Sequence, residues 1–400
     1  MSHFAPIKTV KYFTPGTLVV VAFALLGWSL GLYRMVVGLQ SVTNLDNQYP
    51  WGIWIAIDVA TGVALAAGGF TTAALAHIFH KGKFHSITRA ALLTAMLGYT
   101  FVAIGLLFDL GRWYNVWHPL IYWQGNSVLF EVGICVMAYL TVLYLEFVPI
   151  VAERFEQGVQ FWKPFRFLEA PAKGLVAGLN KIASPAMSLL IIAGVVLSCM
   201  HQSSLGALMV IAPTKVHPLW YSPILPMLFL MSAIAGGFPM VIVEAVIAHR
   251  SFKRPQHLKT LAALSRYIPV ILGLYMIAKI GDVLIRDAWV YLLTPSTESI
   301  MWFIEVGLGV VTPFVLFLLP WTRRTAGRLF LGAALVVGGV MLNRIDVFLV
   351  SYNPPYATWS YFPTLLEVAV TVGLISTIML LYRFAALTLP IVEADEGGAS

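Results

Sequence analysis

Residues 185–212 read PAMSLLIIAGVVLSCMHQSSLGALMVIA, a run without a lysine, arginine, aspartate or glutamate. As an α-helix rising ~1.5 Å per residue, it exceeds the ~30 Å hydrocarbon core of a bilayer. A lone strand could not cross, because its backbone N–H and C=O groups would face lipid unpaired, so the run predicts a transmembrane helix. Near its middle, however, His201, Gln202, Ser203 and Ser204 stand side by side. Three readings compete for that quartet: a haem ligand, a polar tie between helices, or a site for a polar molecule arriving from the membrane.

Similar apolar runs lie at 15–40, 52–79, 88–108, 126–149, 223–248, 267–293, 299–319, 328–350 and 362–387. Across all 400 residues, 59% are hydrophobic and 11% charged, against about 45–50% and about 25% in soluble domains. The expected fold is therefore an all-α integral membrane protein of ten transmembrane helices in one transmembrane domain spanning 1–400. The first run has no small-residue cleavage site and is long enough to span, so it reads as a retained helix. Cys135 and Cys199 fall inside spans without CxxC spacing, which predicts neither a disulfide framework nor an iron–sulfur cluster in this chain. No cluster of metal-ligating residues is expected either. Any electrons must come from another subunit or a bound small molecule.

Of the 25 lysines and arginines, 19 lie in the N-terminal segment, in the loops after helices 2, 4, 6 and 8, and at the C-terminal end. By the positive-inside rule both termini face the cytoplasm. The net charge of +7 is accounted for by this topology, so no nucleic-acid partner is expected. The other six cations are Arg34, Arg112, Lys215, Lys279, Arg286 and Arg344, most of them near outer helix ends. Two of these belong to a repeat. NSVLFEVG at 126–133 resembles SIMWFIEVG at 299–307, and the offset of 174 residues superposes Glu131 on Glu305 and Arg112 on Arg286. Helices 2–5 (52–212) and 6–9 (223–350) are thus expected to be two parallel four-helix bundles, with helix 1 (15–40) and helix 10 (362–387) peripheral.

Ionisable groups inside a bilayer are costly and mark functional sites or buried partners. Counted from the predicted outer ends, Asp58, Asp109, Arg112, Glu131, His201 and Gln202 all fall in the outer third of helices 2–5. A histidine donates a hydrogen bond and delivers a proton near neutral pH. Carboxylates relay protons, and arginine fixes their charge state. Together they suit a neutral ring with two carbonyl oxygens, a quinone. Trp113, Tyr114, Trp117, Tyr122, Trp123 and Trp220 fit a ring-binding cleft, although aromatic belts place such residues at interfaces without catalytic reason. Bis-histidine haem would need two imidazoles at one depth. Only His77 and His201 sit within spans, near opposite faces; His118 and His217 fall in outer loops, and His80, His85, His249 and His257 in cytoplasmic ones. No haem is expected.

In the second bundle, Glu244, Lys279, Asp282, Arg286, Asp287, Glu305, Arg344 and Asp346 read as spread through the membrane depth. They form either a graded proton path or buried ion pairs that hold the bundle. The outward loop SYNPPYATWSYFPT at 351–364 suits a docking surface.

The stretches PWGIWIAIDVATG, DLGRWYN, NSVLFE, MHQSSLGALM, KVHPLW, IRD and SYFPT, in this order along the chain, resemble the NrfD/polysulfide reductase C (PsrC) family. Within it they look like the HybB-type membrane subunits of periplasmic nickel–iron hydrogenase-2. The resemblance implies a quinone-reactive anchor in the bacterial inner membrane with its quinone site toward the periplasm, taking menaquinone or ubiquinone in contact with membrane lipid. It implies as partners a periplasmic ferredoxin-like iron–sulfur subunit and the nickel–iron hydrogenase large and small subunits, so that hydrogen oxidation is coupled to quinone reduction, or the reverse. It carries over His201, Gln202, Asp58, Asp109, Arg112 and Glu131 as the quinone site. Relatives in the family serve polysulfide or sulfur reductase, sulfite-reduction-linked and alternative complex III assemblies, and membership does not choose among them. A secondary transporter is the rival from another class, but the expected repeat is parallel and the polar cluster off-centre. A purely structural anchor would leave that cluster unexplained.

Overall fold

The computed structural model describes residues 4–7, 10–79, 84–159, 163–253 and 258–393; Lys8, His80, Lys81, Lys83, Arg254 and His257 of the foregoing analysis lie outside them. Among the described residues, ten helices are long and apolar enough to cross a membrane. They are α1 (Pro15–Val37), α2 (Trp54–His77), α3 (His85–Asp109), α4 (Val128–Glu156), α5 (Glu169–Val210), α6 (Leu225–Phe252), α7 (Leu258–Ile285), α8 (Thr297–Leu318), α9 (Ala326–Val350) and α10 (Leu365–Thr388). This is a multi-pass, all-α membrane protein. An even number of crossings puts both termini on one side, where β1 (Phe4–Ala5) pairs antiparallel with β2 (Val392–Glu393). That side is the terminal side below.

Three boundaries differ from the sequence expectation, each for a physical reason. The predicted fifth span began at Pro185, but α5 begins at Glu169 and runs for 42 residues through the proline. The preceding stretch, LEAPAKGLVAGLNKIAS, is rich in good helix formers yet too basic to register as an apolar span. Helix α4 likewise continues past Pro149 to Glu156. Helix α7 stops at Ile285, short of the expected 293, because Asp287 takes a left-handed conformation and a 3-10 turn, Ala288–Leu292, follows.

The centre belongs to α2, with 78% of its most apolar stretch buried, whereas α5 has 17% and α1 has 22%. Helix α2 packs on α3 and α6; α6 packs on α5, α7 and α9; α4 lies along α5, and α9 reaches the first turns of α2. Helices α1 and α10 pair with each other and lean on α3. Their backbones approach so closely that a Cβ at Gly27 would lie 2.5 Å from the Gly373 Cα. Gly309 and Gly339 do the same for α8 and α9, at 2.4 Å.

Among the described residues, four stretches are wound as π-helix, Trp54–Thr61, Ala74–Ile78, Gly307–Val311 and Asp346–Val350. Each extra residue per turn re-aims the side chains around it, and such bulges recur at functional sites. Asp58 and Asp346 lie in two of them. Thr61 and Thr312 each donate from Oγ1 to the carbonyl five residues back, Ala56 and Gly307, both at 2.8 Å.

Candidate functional site

On the far side, Asp58 in the first turns of α2 and Asp109 at the end of α3 come together with Arg34 of α1 and Glu367 of α10. The cation expected here was Arg112, but Arg112 is exposed in the loop after α3. Arg34, 1% exposed, takes its place and donates from Nη2 to the Leu110 carbonyl at 2.5 Å. Asp58 accepts from Thr371 Oγ1 at 2.8 Å. Glu367 caps the start of α10 and accepts from the Asn44 backbone N–H at 2.8 Å and from the Tyr361 hydroxyl. Asp109 Oδ1 is buried and makes no hydrogen bond. One buried guanidinium thus stands among three carboxyl groups and cannot by itself balance the charge of all three.

His201 and Gln202 are fully buried, at 0% exposure each, but deeper than the carboxylates. Gln202 donates from Nε2 to the Val63 carbonyl at 2.7 Å, and His201 Nδ1 lies 3.4 Å from the Tyr99 hydroxyl. Val63 is five residues below Asp58 and Tyr99 ten below Asp109, so the two groups differ in depth by about 8–15 Å. The expectation of a single layer is therefore corrected to two tiers. His201 lies nine residues before the end of α5 at Val210, about 14 Å into the span, whereas Asp58 and Asp109 lie near the far-side ends of α2 and α3. Around His201 stand Tyr99, Ser198 of α5, and Tyr139 of α4, whose ring meets Tyr99 edge-on at 4.4 Å. His201 Nε2 and Gln202 Oε1 are buried without hydrogen-bond partners, and the Ser198 hydroxyl faces those of Tyr99 and Tyr139. Buried polar atoms seldom stay unpaired, so this group has the capacity to receive a polar ligand or water.

Glu131 is exposed at the α4–α5 seam and accepts from Ser204 Oγ at 2.5 Å. Ser203 and Ser204 also donate to the Met200 carbonyl, at 2.9 and 2.8 Å. Further along α4, Glu146 is buried at 8%; a Cβ at Gly194 would lie 2.8 Å from its Oε1.

In the second bundle the expected spread through the membrane gives way to convergence. Lys279 and Glu305 form a buried ion pair. Glu305 also accepts from Asn343 Nδ2 at 2.9 Å and from Trp220 Nε1 at 2.8 Å. Trp220 therefore serves this bundle and not an aromatic cleft in the first. Arg344 donates to the Asn343 side chain at 2.5 Å, to Ser232 Oγ at 2.9 Å and to the Phe229 carbonyl at 3.1 Å. Asp346, at 0% exposure, stands beside Glu305 and Lys279. Just above, Asp282 pairs with Arg286 at 2.6 Å and accepts from Ser222 Oγ at 2.7 Å. Asp287 is exposed. Glu244 stands apart on the terminal side, accepting from the Tyr382 hydroxyl at 2.8 Å and lining a cavity of about 100 Å³.

Of the histidines, His77 packs edge-on against His85 at 4.8 Å between ring centroids, and His217 donates its backbone N–H to the Ser351 carbonyl at 2.8 Å. His217 thereby ties the outer loops after α5 and α9 together.

Sequence reasoning singled out Arg34 as an unusual cation without assigning it to the cluster, and passed over Tyr99, Tyr139, Glu146, Tyr361, Glu367, Thr371 and Asn343. Glu367 carried a signal, Thr364-x-x-Glu, but that pattern reads first as a helix cap. It is one here, with reciprocal hydrogen bonds, and the same carboxylate also serves the cluster.

Fold and site together define a multi-pass membrane protein with buried acid–base groups and charge pairs on the far side of both halves. Comparison with known proteins gives the family. Residues 41–355 match the family described as "Polysulphide reductase, NrfD", and the chain belongs to it. A protein of Nitratidesulfovibrio vulgaris is 38% identical over 391 residues, covering 95% of each chain. The "Probable Ni/Fe-hydrogenase 2 b-type cytochrome subunit" of Escherichia coli is 32% identical, covering 96% of this chain and 92% of the relative. The "Menaquinone reductase, integral membrane subunit" of N. vulgaris is 24% identical, covering 93% and 91%.

Proposed function

We propose that this chain is the quinone-reactive membrane subunit of a hydrogen:quinone oxidoreductase in the bacterial inner membrane. In this reading the terminal side is cytoplasmic and the far side periplasmic, as the lysine and arginine distribution supports. Electrons arrive from a periplasmic ferredoxin-like iron–sulfur subunit fed by nickel–iron large and small subunits, and reduce menaquinone or ubiquinone, or flow in reverse. The 32% identical hydrogenase relative supports the hydrogen partner. The name of the 24% identical menaquinone reductase supports the quinone. It also keeps open a second reading, the same role with another electron donor.

The observation that carries the reading is the set of buried unpartnered atoms His201 Nε2, Gln202 Oε1 and Asp109 Oδ1. When bound, a quinone takes up two electrons and two protons to become the quinol. His201 Nε2 hydrogen-bonds a carbonyl oxygen and passes a proton there. Tyr99, against Nδ1, orients the imidazole. Asp58 and Asp109 hold protons nearer the surface, and Arg34 keeps their combined charge low. Arg112, exposed, falls out of this proposal, and Glu131 acts through Ser204, on the same helix as His201. In the second half, Lys279, Glu305, Arg344 and Asp346 hold the bundle as a charge network. Glu244, Asp282 and Arg286 supply the remaining members of a proton path. The corresponding pairings α2 on α3 and α6 on α7, α4 on α5 and α8 on α9 support two repeated bundles, 52–212 and 223–350.

The test uses membranes carrying the assembled complex with His201→Gln or Asp109→Asn. Hydrogen-dependent quinone reduction falls by about 10²-fold or more, the usual contribution of a positioned acid or base, while hydrogen oxidation with a soluble dye is unchanged. Full quinone turnover in both variants refutes the site. Turnover with another donor but never with hydrogen refutes only the hydrogenase partner.

A further inference from the structure

Helices α4 and α5 run antiparallel, with Ser204 beside Glu131 and Gly194 beside Glu146. Helix α4 ends at Glu156, and the first turns of α5 continue past it. Ala183 is fully buried, but between Lys163 and Ile182 no side chain is. The chain there, KPFRFLEAPAKGLVAGLNKIA from 163 to 183, leaves the bundle close to Pro185, where the missing N–H loosens the helix.

Two patterns coexist on this overhang. Leu168, Leu175, Leu179 and Ile182 follow one another at steps of seven, four and three residues, which at ~3.6 residues per turn is one face. Leu175 is 65% exposed and Ile182 67%, and just before them Phe167 is 73% exposed. Lys173 and Lys181 lie on the opposite face. With Lys163 and Arg166 they make four cations against one acid, Glu169, a net charge of 4 − 1 = +3.

A second copy of this chain on the apolar stripe would bury the leucines but bring two +3 segments together. A membrane surface satisfies both patterns at once: apolar side chains enter the acyl boundary, and the lysine and arginine stems rise from it to place their charges among phosphates. The segment also joins directly to a spanning helix, where basic clusters are drawn to anionic lipid. We propose that in a bilayer α5 bends at Pro185, so that residues 163–184 lie on the surface as an amphipathic anchor that binds the anionic headgroups of phospholipids on the terminal side.

The experiment reconstitutes the full chain carrying Leu175→Cys or Ile182→Cys into vesicles of phosphatidylcholine with phosphatidylglycerol, or of phosphatidylcholine alone. Freeze–thaw exposes both faces to a charged maleimide. The native Cys135 and Cys199 lie within spans, and the unsubstituted chain gives their background. We expect labelling to be about tenfold slower in the anionic vesicles, and Lys173→Gln with Lys181→Gln to recover most of that tenfold. High salt restores it in the same way without any substitution. Equal rates in the two vesicles overturn the proposal. Slow labelling in both, with oxidation linking two Ile182→Cys chains, overturns it in favour of a second copy.

Discussion

Lys279→Met is the most informative single change in the second bundle. It deletes the ammonium but leaves Glu305, 1% exposed, as a buried carboxylate. Glu305 keeps two donors, Asn343 Nδ2 and Trp220 Nε1, at 2.9 and 2.8 Å. Neither neutralises its charge, and Asp346 beside it adds a second acid. Breaking a buried pair from one side costs about 3–5 kcal/mol, while replacing both partners by neutral groups is often near neutral. Glu305→Gln alone strands Lys279, which has 7% side-chain exposure, and costs a similar amount. Asn343 and Trp220 bond different carboxylate oxygens, so in the double variant the amide oxygen keeps one of the two bonds and the loss should be about 1–3 kcal/mol, well below the sum of the single losses. The coupling in the cycle is then several kcal/mol, above the 0.5 kcal/mol or so at which non-additivity becomes meaningful. The assay is SDS-induced unfolding of the purified chain in mixed micelles, for all four members of the cycle. If the double variant loses the sum of the single losses, or if Lys279→Met costs less than about 1 kcal/mol, the pair does not hold the bundle as described.

Three further outcomes follow from the geometry. Arg34→Ala, which frees Asp58, Asp109 and Glu367 from their buried counter-charge, lowers quinone turnover at least tenfold, about 1.4 kcal/mol in the barrier; Arg112→Ala changes it less than twofold. The same membrane assay reads both, and equal losses would mean that the loop arginine reaches the site. Gly373→Val forces α1 and α10 apart at Gly27 and destabilises by about 1–3 kcal/mol. It also moves Glu367 and Thr371, so turnover falls with it, and full activity at reduced stability would separate α10 from the site. Gln202→Leu removes the hydrogen bond to the Val63 carbonyl, which keeps its helical partner, a cost of about 0.5–1.5 kcal/mol seen in the same unfolding titration.

Individual residues show how far pattern reading reaches. Asp58 and Asp109 were legible because a lone acid near the end of an apolar run has few explanations. Arg34 was visible as an unusual cation but could not be assigned, since only the docking of α1 against α3 and α10 brings it to Asp109. Tyr99, Tyr139 and Asn343 gave no warning, because an uncharged polar or aromatic residue in a span resembles ordinary packing. Lys279 and Glu305 are 26 positions apart in the chain, and nothing in their spacing names them as partners.

The sequence by itself determined that the chain crosses a membrane ten times as helices, that its termini share a side and that the buried charges of its first half gather toward one end of the spans. These properties follow from length, apolarity and charge, which act locally along each helix and need no knowledge of neighbours. Tertiary structure alone decided which charge meets which, that His201 and Gln202 sit a tier below the carboxylates, and that α10 completes the outer cluster. A helix presents a different side chain every ~100°, and its crossing with the next sets which of them meet. HQSS at 201–204 is polar on any reading; that His201 keeps a free nitrogen facing the interior is a property of the packed bundle.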